Sequence, residues 1–434
     1  MKTLRDAVHG DVRLSPNEVA VLDTPPMQRL RGIRQLGAAY LVYPAAQHTR
    51  FEHSVGTCHM ARRLMTAIEG RGDVEFSPVE REGVCLAALL HDVTHVPFGH
   101  TFEDERSLLT RHDEDRARYR HFLELGPLGQ RLESTKAGRL AKKLVAPDSE
   151  LPRERLYLRD IVDGTICADL LDYLKRDNYF CGLRQEFDER VFRYFTVADG
   201  RLALDMVQDG LFRRDALSEI TNLLRIRYVL SERVYYHHAK IAAGAMISKL
   251  VELARAAGME QEELYGLTDD SLIHYIRHTY GGHEGIPEVV NALRHRRLYK
   301  RCYLLTRRVG ENEVEELVTD YHGNRDGARN KAERRIAGEL GLPEHAVAIY
   351  CAPVEMALKE AQVPARMGGG RMQNLAELNS EEIRLLKQQH RALWSFYVFI
   401  DRQGLKDVDK AGRVCEEAIG PTNELPRQMK GEKL

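Results

Sequence analysis

Eighteen histidines are spread through the 434 residues, and several stand at short, patterned distances from acids. The densest pattern is His91-Asp92-Val93-Thr94-His95-Val96-Pro97-Phe98-Gly99-His100, directly after the apolar run Val84 to Leu90. An imidazole beside a carboxylate at the end of a buried helix is costly unless something compensates both polar groups, and a divalent cation would do so. A histidine ending a helix next to a capping aspartate explains an isolated pair equally well. Two other segments favour the cation. Arg50-Phe51-Glu52-His53-Ser54 precedes a helix with Cys58, Ala61 and Leu64 along one face. In Ala168 to Asp177, the residues Asp169, Asp172, Tyr173, Arg176 and Asp177 share one helical face, while Leu170, Leu171 and Leu174 point elsewhere. An exposed polar face accounts for the charges but not for the aromatic ring among them.

The elements that must position these groups follow from the periodicity. From about Pro16 to Leu250 apolar residues recur at helical spacing, as in Ala61, Leu64, Met65 and Ile68, with β-branched clusters too short to build a sheet. Breaks fall at Thr24-Pro25-Pro26 and Gly70 to Gly72, and the charged stretch Arg111 to Arg120 reads as solvated. Leu298 to Leu305, His345 to Cys351 and Ser395 to Ile400 are aromatic and β-branched runs of strand length. The expected fold is mainly α, a helical unit over residues 1–295 followed by a smaller α+β portion over 296–434. Met367-Gly368-Gly369-Gly370-Arg371 reads as a mobile loop, without a phosphate-cradling glycine fingerprint.

Composition excludes several classes. Lys plus Arg number 64 against 65 Asp plus Glu, a net charge of -1, which lacks the basic excess of a dedicated nucleic-acid binder. The seven cysteines, at 58, 85, 167, 181, 302, 351 and 415, show no Cys-x-x-Cys spacing and fit small core residues in a reducing compartment. No apolar run approaches the roughly 18 residues of a membrane span, and Met1 to Asp6 leads into polar sequence. A cytoplasmic protein with no membrane partner is expected.

In order and context, His53, His91-Asp92 and Asp169 match an H…HD…D pattern, and on these residues the chain resembles the HD superfamily of metal-dependent phosphohydrolases. Asp23 to Gly37, Tyr43-Pro44 and Arg50 to Ser54 resemble its deoxynucleoside triphosphate triphosphohydrolase branch, with coverage of about residues 2 to 250. The resemblance implies a metal site of His53, His91, Asp92 and Asp169. Two imidazoles and two carboxylates suit Mn, Fe, Mg or Zn and leave positions open for water and a phosphate oxygen. For the proton donor to the leaving group, the residues offer His95 and His112, and the resemblance favours His112, with Asp113 orienting the ring and keeping it protonated.

The same resemblance implies Arg50, His100 and Arg227 at the phosphates, where guanidinium groups fit the oxygens. It implies Gln35 and Asp177 at the sugar 3′-hydroxyl, Leu36 and Tyr173 closing the space of a 2′-hydroxyl, and Tyr235 beside the base. Lys2, Asp23, Arg31, Val42, His237 and His238 fall where a vertebrate member of that branch builds nucleotide sites between subunits, so the resemblance implies an activating nucleotide and a homo-oligomer, a tetramer or a dimer of dimers. Asp23 would otherwise be a helix N-cap and Arg31 a surface side chain. Three departures bear on triphosphate recognition: Leu170 replaces a phosphate-holding lysine, and Thr94 and Val96 replace glycines, giving a bulkier pocket wall. Arg5 replaces an asparagine near the regulatory positions. The leading expectation is hydrolysis of deoxynucleoside triphosphates to deoxynucleoside and triphosphate. A metal phosphodiesterase or nuclease acting on nucleotides or single-stranded nucleic acid is the alternative within enzymes, and a nucleotide sensor without catalysis is the alternative outside them.

Overall fold

The computed structural model describes residues 1–354, 358–378, 380–401 and 407–429. The chain opens with a hairpin of β1 (Lys2–Asp6) and β2 (Gly10–Leu14), paired from Lys2 opposite Leu14 to Asp6 opposite Gly10. Its turn is closed by Asp6, whose carboxylate accepts the backbone N–H groups of Val8 and His9, both at 2.8 Å. His9 stands in this turn, and its ring is buried.

Three helices carry the motif residues. The first, α1 (Arg50–Gly70), begins with a capping box in which Thr49 and Glu52 satisfy each other's exposed backbone donors. The second, α2 (Pro78–Leu90), has the same device at Ser77 and Glu80 and delivers His91 at its C-terminal end. The third, α3 (Ala168–Cys181), stops at Gly182, whose φ of 68° ends the helix in the left-handed conformation. Helices α1 and α3 pack closely because Gly56 has no side chain: a Cβ there would lie 1.9 Å from Asp172 Oδ1 and 2.4 Å from Arg176 Nη2. Behind them, α4 (Arg214–Leu230) and α5 (His238–Ala256) complete the helical core, followed by α6 (Asp269–Thr279).

The C-terminal runs form strands as expected. β7 (Lys300–Thr306), β8 (Val347–Cys351) and β11 (Ser395–Ile400) make an antiparallel sheet in the order β7-β11-β8, with α7 (Ala328–Leu340) against it. The mainly α architecture with a smaller α+β portion is thus borne out.

One reading is corrected. The helical part does contain strands: the opening hairpin, β3 (Phe195–Ala198) with β4 (Arg201–Asp205), and the short pair β5 (Val207–Gln208) and β6 (Leu211–Phe212). These are short: β4 pairs antiparallel with its neighbour β3 and takes its second partner from far along the chain, in parallel with β9 (Pro364–Arg366), so no local run was long enough to reveal the sheet. The glycine segment 368–370 is the turn that joins β9 to β10 (Met372–Asn374), with Gly369 and Gly370 at positive φ. Among the described residues no helix is long and apolar enough to cross a membrane.

The two portions are joined by buried charge. Arg106 donates to Glu333 Oε1 at 2.9 Å, to the Ile349 carbonyl at 2.6 Å and to both oxygens of Glu252, and Lys249 pairs with Glu333 from α5. Removing one member of such a buried network strands the others without a partner. Glu333→Ala is expected to destabilise the chain by about 3 to 5 kcal/mol. Urea unfolding followed by circular dichroism checks this, and a midpoint equal to wild type would refute the role of the network.

Candidate metal centre

His53 and His91 face each other across the gap between α1 and the end of α2, their Nε2 atoms 3.2 Å apart. The far side of each ring is engaged. His91 Nδ1 lies 2.8 Å from the Ala88 carbonyl, which only accepts, so Nδ1 carries the proton and Nε2 offers its lone pair. His53 Nδ1 lies 2.7 Å from Asp172 Oδ2, which fixes the same tautomer. Asp169 Oδ1 is 2.8 Å from His53 Nε2 and 3.7 Å from His91 Nε2. Asp92 closes the group, with Oδ2 3.8 Å from His53 Nε2 and Oδ1 3.7 Å from His91 Nε2.

Two lone pairs aimed at one point beside two carboxylates form a donor set that fits a divalent cation. The acids are held ready: burial alone would raise the Asp92 carboxyl, but Arg50 and His91 outweigh it and keep the group well below the ordinary range. Burial likewise opposes charge on His53, yet Asp169 and Asp172 push it up to about 10, so a bound cation would take the place of the proton that Nε2 shares with Asp169. The structure brings all four expected ligands together.

Beside this group lies a second one, of His95, His100, Glu103 and His112. The rings of His95 and His112 stack with centroids 3.5 Å apart. The expectation that Asp113 orients His112 is corrected. Its Oδ1 is 4.0 Å from His112 Nδ1 and it pairs with Arg111, whereas Glu103 Oε2 is 3.2 Å from that nitrogen. The reason is burial: the Arg111 to Arg120 stretch is not solvated throughout, since His112 is buried and Arg118 is inaccessible, donating to Glu103 Oε1 at 2.7 Å. The Thr94 hydroxyl lies 3.2 Å from the His112 carbonyl and fastens the same segment. Val96 packs into the apolar core, as does Leu170, so their bulk is absorbed there.

Arg50 is buried and gives Nη1 to Asp92 Oδ2 at 2.7 Å, while its Nε and Nη2 have no hydrogen-bond partner. Gly99 makes room for it, since a Cβ there would lie 2.4 Å from Nη2. Burial opposes charge on His100, but Asp104 and Glu103 push it up to about 9. His95 is driven the opposite way, well below the imidazole range, by burial and then by Arg50.

The expected sugar and base residues converge as well. Asp177 lies 2.9 Å from His48 Nε2 and accepts the Tyr235 hydroxyl at 2.6 Å. Arg227 lies over the rings of Tyr173 and Tyr235, at 5.1 and 4.9 Å. Gln35 is tied to the same place by its backbone N–H, which donates to the His48 carbonyl at 3.0 Å, and its side-chain oxygen is buried without a partner. Leu36 is buried.

The six expected regulatory residues remain at the surface in two groups. Lys2 pairs with Asp23 at 3.7 Å, both exposed, and Arg31 lies over Phe51 with its Nε on Gln28. His237 and His238 stack on each other at 4.6 Å, with Tyr43, next to Val42, edge-on to His237. Asp23 is the C-cap of Pro16–Leu22, and Thr24 stands at the N-cap of Pro25–Arg29.

Sequence reasoning missed His9, His48, Glu103 and the role of Asp172. His9 Nε2 lies 2.5 Å from Asp172 Oδ1, a contact 163 residues apart with no local signal. Asp172 was visible as a face-sharing neighbour of Asp169, and Glu103 as an acid three residues past His100. Asp172→Asn removes the charge and leaves one acceptor oxygen where two serve His53, His9 and Arg176, so the hold on the His53 tautomer weakens and metal affinity is expected to fall roughly 10- to 100-fold. Metal titration by calorimetry on the folded variant tests this, and wild-type affinity would show that Asp172 only supports packing.

The HD domain model matches residues 50–177, and the HD associated region model matches residues 189–418. An uncharacterized protein of Methanocaldococcus jannaschii is 30% identical over 64% of this chain and 55% of its own length. The deoxynucleoside triphosphate triphosphohydrolase SAMHD1 of Gallus gallus is 27% identical over 69% of this chain and 56% of its own. The chain thus spans about half the length of these curated relatives. A crystal structure of a hypothetical protein from Aquifex aeolicus aligns with a TM-score of 0.70 over 94% of this chain and 99% of that one, at 24% identity, a likeness of fold alone. The matched HD domain holds His53, His91, Asp92 and Asp169, the associated region that follows it spans more than half of the chain, and the chain belongs to the HD family.

Proposed function

We propose that this chain hydrolyses deoxynucleoside triphosphates at the α-phosphorus, giving deoxynucleoside and triphosphate. The observation that carries the reading is the junction of the two clusters. Asp92 faces the paired Nε2 atoms of the metal group and also lies, through Oδ1, 3.2 Å from His95 Nε2 and 4.0 Å from His112 Nε2. A cation held by His53, His91, Asp92 and Asp169 supplies Lewis acidity toward phosphorus and a water acidic enough to attack it near neutral pH.

The chain's own groups do the rest. His112, held through Nδ1 by Glu103, keeps Nε2 free to give a proton to the departing sugar oxygen. Arg50 contributes two nitrogens without partners, Nε and Nη2, His100 a charge retained up to about pH 9, and Arg227 a guanidinium over two rings, together matching a chain of phosphates. Gln35 and Asp177 bind the 3′-hydroxyl, and Leu36 and Tyr173 exclude a 2′-hydroxyl. Tyr235 lies beside the base. With Leu170 in the core, the phosphate charge falls on Arg50, His100 and Arg227.

On this reading residues 1–295 carry catalysis and 296–434 serve regulation or assembly. A nucleotide bridging two subunits near Asp23 and Arg31, or near Val42, His237 and His238, would favour a homo-oligomer by mass action. A phosphodiesterase acting on nucleotides or single strands is the competing enzyme reading.

One set of incubations tests these together. Metal-supplemented protein is given the four dNTPs, the four NTPs and an oligonucleotide, and the products are resolved. Triphosphate is expected from dNTPs, with dATP preferred over ATP, because a site that bonds one hydroxyl and excludes another discriminates strongly. Nucleoside monophosphate from the oligonucleotide would instead support the phosphodiesterase, and equal hydrolysis of ATP and dATP would defeat the sugar assignments. His112→Ala is expected to keep its metal and lose about two to four decades of turnover. Loss of metal in that variant would move the proton-donor role elsewhere.

A further inference from the structure

We propose that Asp269 is a positioning residue for this reaction, one that holds the turn before His100 and the segment before Gln35 at a fixed separation; the assignment rests on the function proposed above. Its Oδ1 accepts the Phe98 N–H at 2.6 Å, and its Oδ2 accepts the Arg34 N–H at 2.9 Å. One carboxylate thus joins two segments that no shared strand or helix connects. The first leads through Gly99, which makes room for Arg50, to His100. The second leads directly into Gln35 and Leu36. The phosphate side and the sugar side of the pocket are therefore tied together by one carboxylate on α6.

The surroundings are built to keep it there. Asp269 is inaccessible at the start of α6, where the helix dipole favours an anion. Gly32 lets α6 approach, since a Cβ there would lie 2.5 Å from Thr268 Cγ2. Arg29 reinforces the junction with the complementary charge: Nη2 donates to the carbonyls of Val93 at 2.9 Å and His95 at 2.7 Å, and Nη1 to Leu267 at 3.3 Å. Phe98 has φ of 61°, a left-handed conformation that a bulky residue keeps only when its neighbours impose it. Burial pushes the Asp269 carboxyl up to about 6, against the two backbone donors. Mere packing would be met more cheaply by an apolar side chain, so the carboxylate is explained by what it holds.

Asparagine keeps one acceptor oxygen and turns an NH2 toward the other backbone N–H, so Asp269→Asn breaks one of the two bonds while preserving shape. The experiment compares wild type, Asp269→Asn and Asp270→Asn, the last altering an exposed partner of Arg34 on the same turn. Metal content, kcat and KM for dATP and ATP, and amide hydrogen exchange of the peptides containing Arg34 and Phe98 are read. For Asp269→Asn we expect unchanged metal and products, a fall in kcat for dATP of roughly ten- to a hundredfold, a weakened preference for dATP, and faster exchange in at least one peptide. Asp270→Asn should leave the preference as in wild type. An Asp269→Asn protein with wild-type preference and wild-type exchange overturns the proposal, even if its turnover falls with the folded fraction. Should that variant not fold, Asp269→Glu, which keeps the charge and displaces it by one methylene, is read the same way. If wild type releases no triphosphate from any dNTP, the functional reading fails separately, and the exchange of the two peptides still reports whether Asp269 joins the turns.

Discussion

Everything at the metal centre depends on how one buried carboxylate, Asp172, is satisfied. It is wholly inaccessible and receives His53 at 2.7 Å, His9 at 2.5 Å and Arg176 through Nε and Nη2 at 2.8 and 3.0 Å. Burial by itself would drive such a group to take up a proton. Arg176 first, and then the two imidazoles, hold it well below the usual carboxylate range. Since His53 comes from α1, His9 from the opening hairpin and Arg176 from α3, neutralising this one charge also fixes how three elements meet. Arg176 carries the constraint back to the hairpin by pairing with Asp6 at 2.9 Å, the residue that shapes the His9 turn.

The same logic recurs along the segment from His100 to His112. Glu103 holds His112 with one oxygen and accepts from Arg118 with the other. Three residues later Arg106 turns the other way and is absorbed by Glu252 and Glu333. Buried ion pairs of this kind contribute little net stability over apolar packing, but they tolerate few alternative arrangements. A loop held by such groups at both ends keeps its histidines in register without belonging to a regular element.

What the sequence disclosed follows the range of the interactions involved. Helical periodicity revealed the helical unit, and the three C-terminal runs revealed their sheet, because each pattern is written in consecutive residues. The residues that converge at the candidate metal centre stood out through short motifs, the shared face of α3 and the family resemblance. The error over Asp113 came from weighing a neighbour in sequence above Glu103, nine residues away, when folding puts the distant acid closer. His9, His48 and Asp269 act across long separations as isolated residues, and a single side chain leaves no periodic trace. The β4 and β9 pairing was hidden for the same reason, since each strand is too short to be read without its partner.

The distribution of protons follows from the distribution of acids. His95 and His100 stand with ring centroids 4.7 Å apart, yet one is driven neutral and the other held cationic. Two adjacent imidazoles cannot both be charged cheaply, so the proton settles on His100, which has two carboxylates at 3.2 Å, and not on His95, which is buried beside the Arg50 guanidinium and His112. Asp104 and Glu103 stand beside His100, whereas His95 is enclosed and shares Asp92 with the Arg50 guanidinium. The cationic ring is consequently the half-exposed one, where a phosphate would arrive, and the neutral ring is the one stacked beneath His112. Asp92 sets this division, because its two oxygens face the metal group and the histidine stack at once. A change at that residue must therefore alter both clusters together.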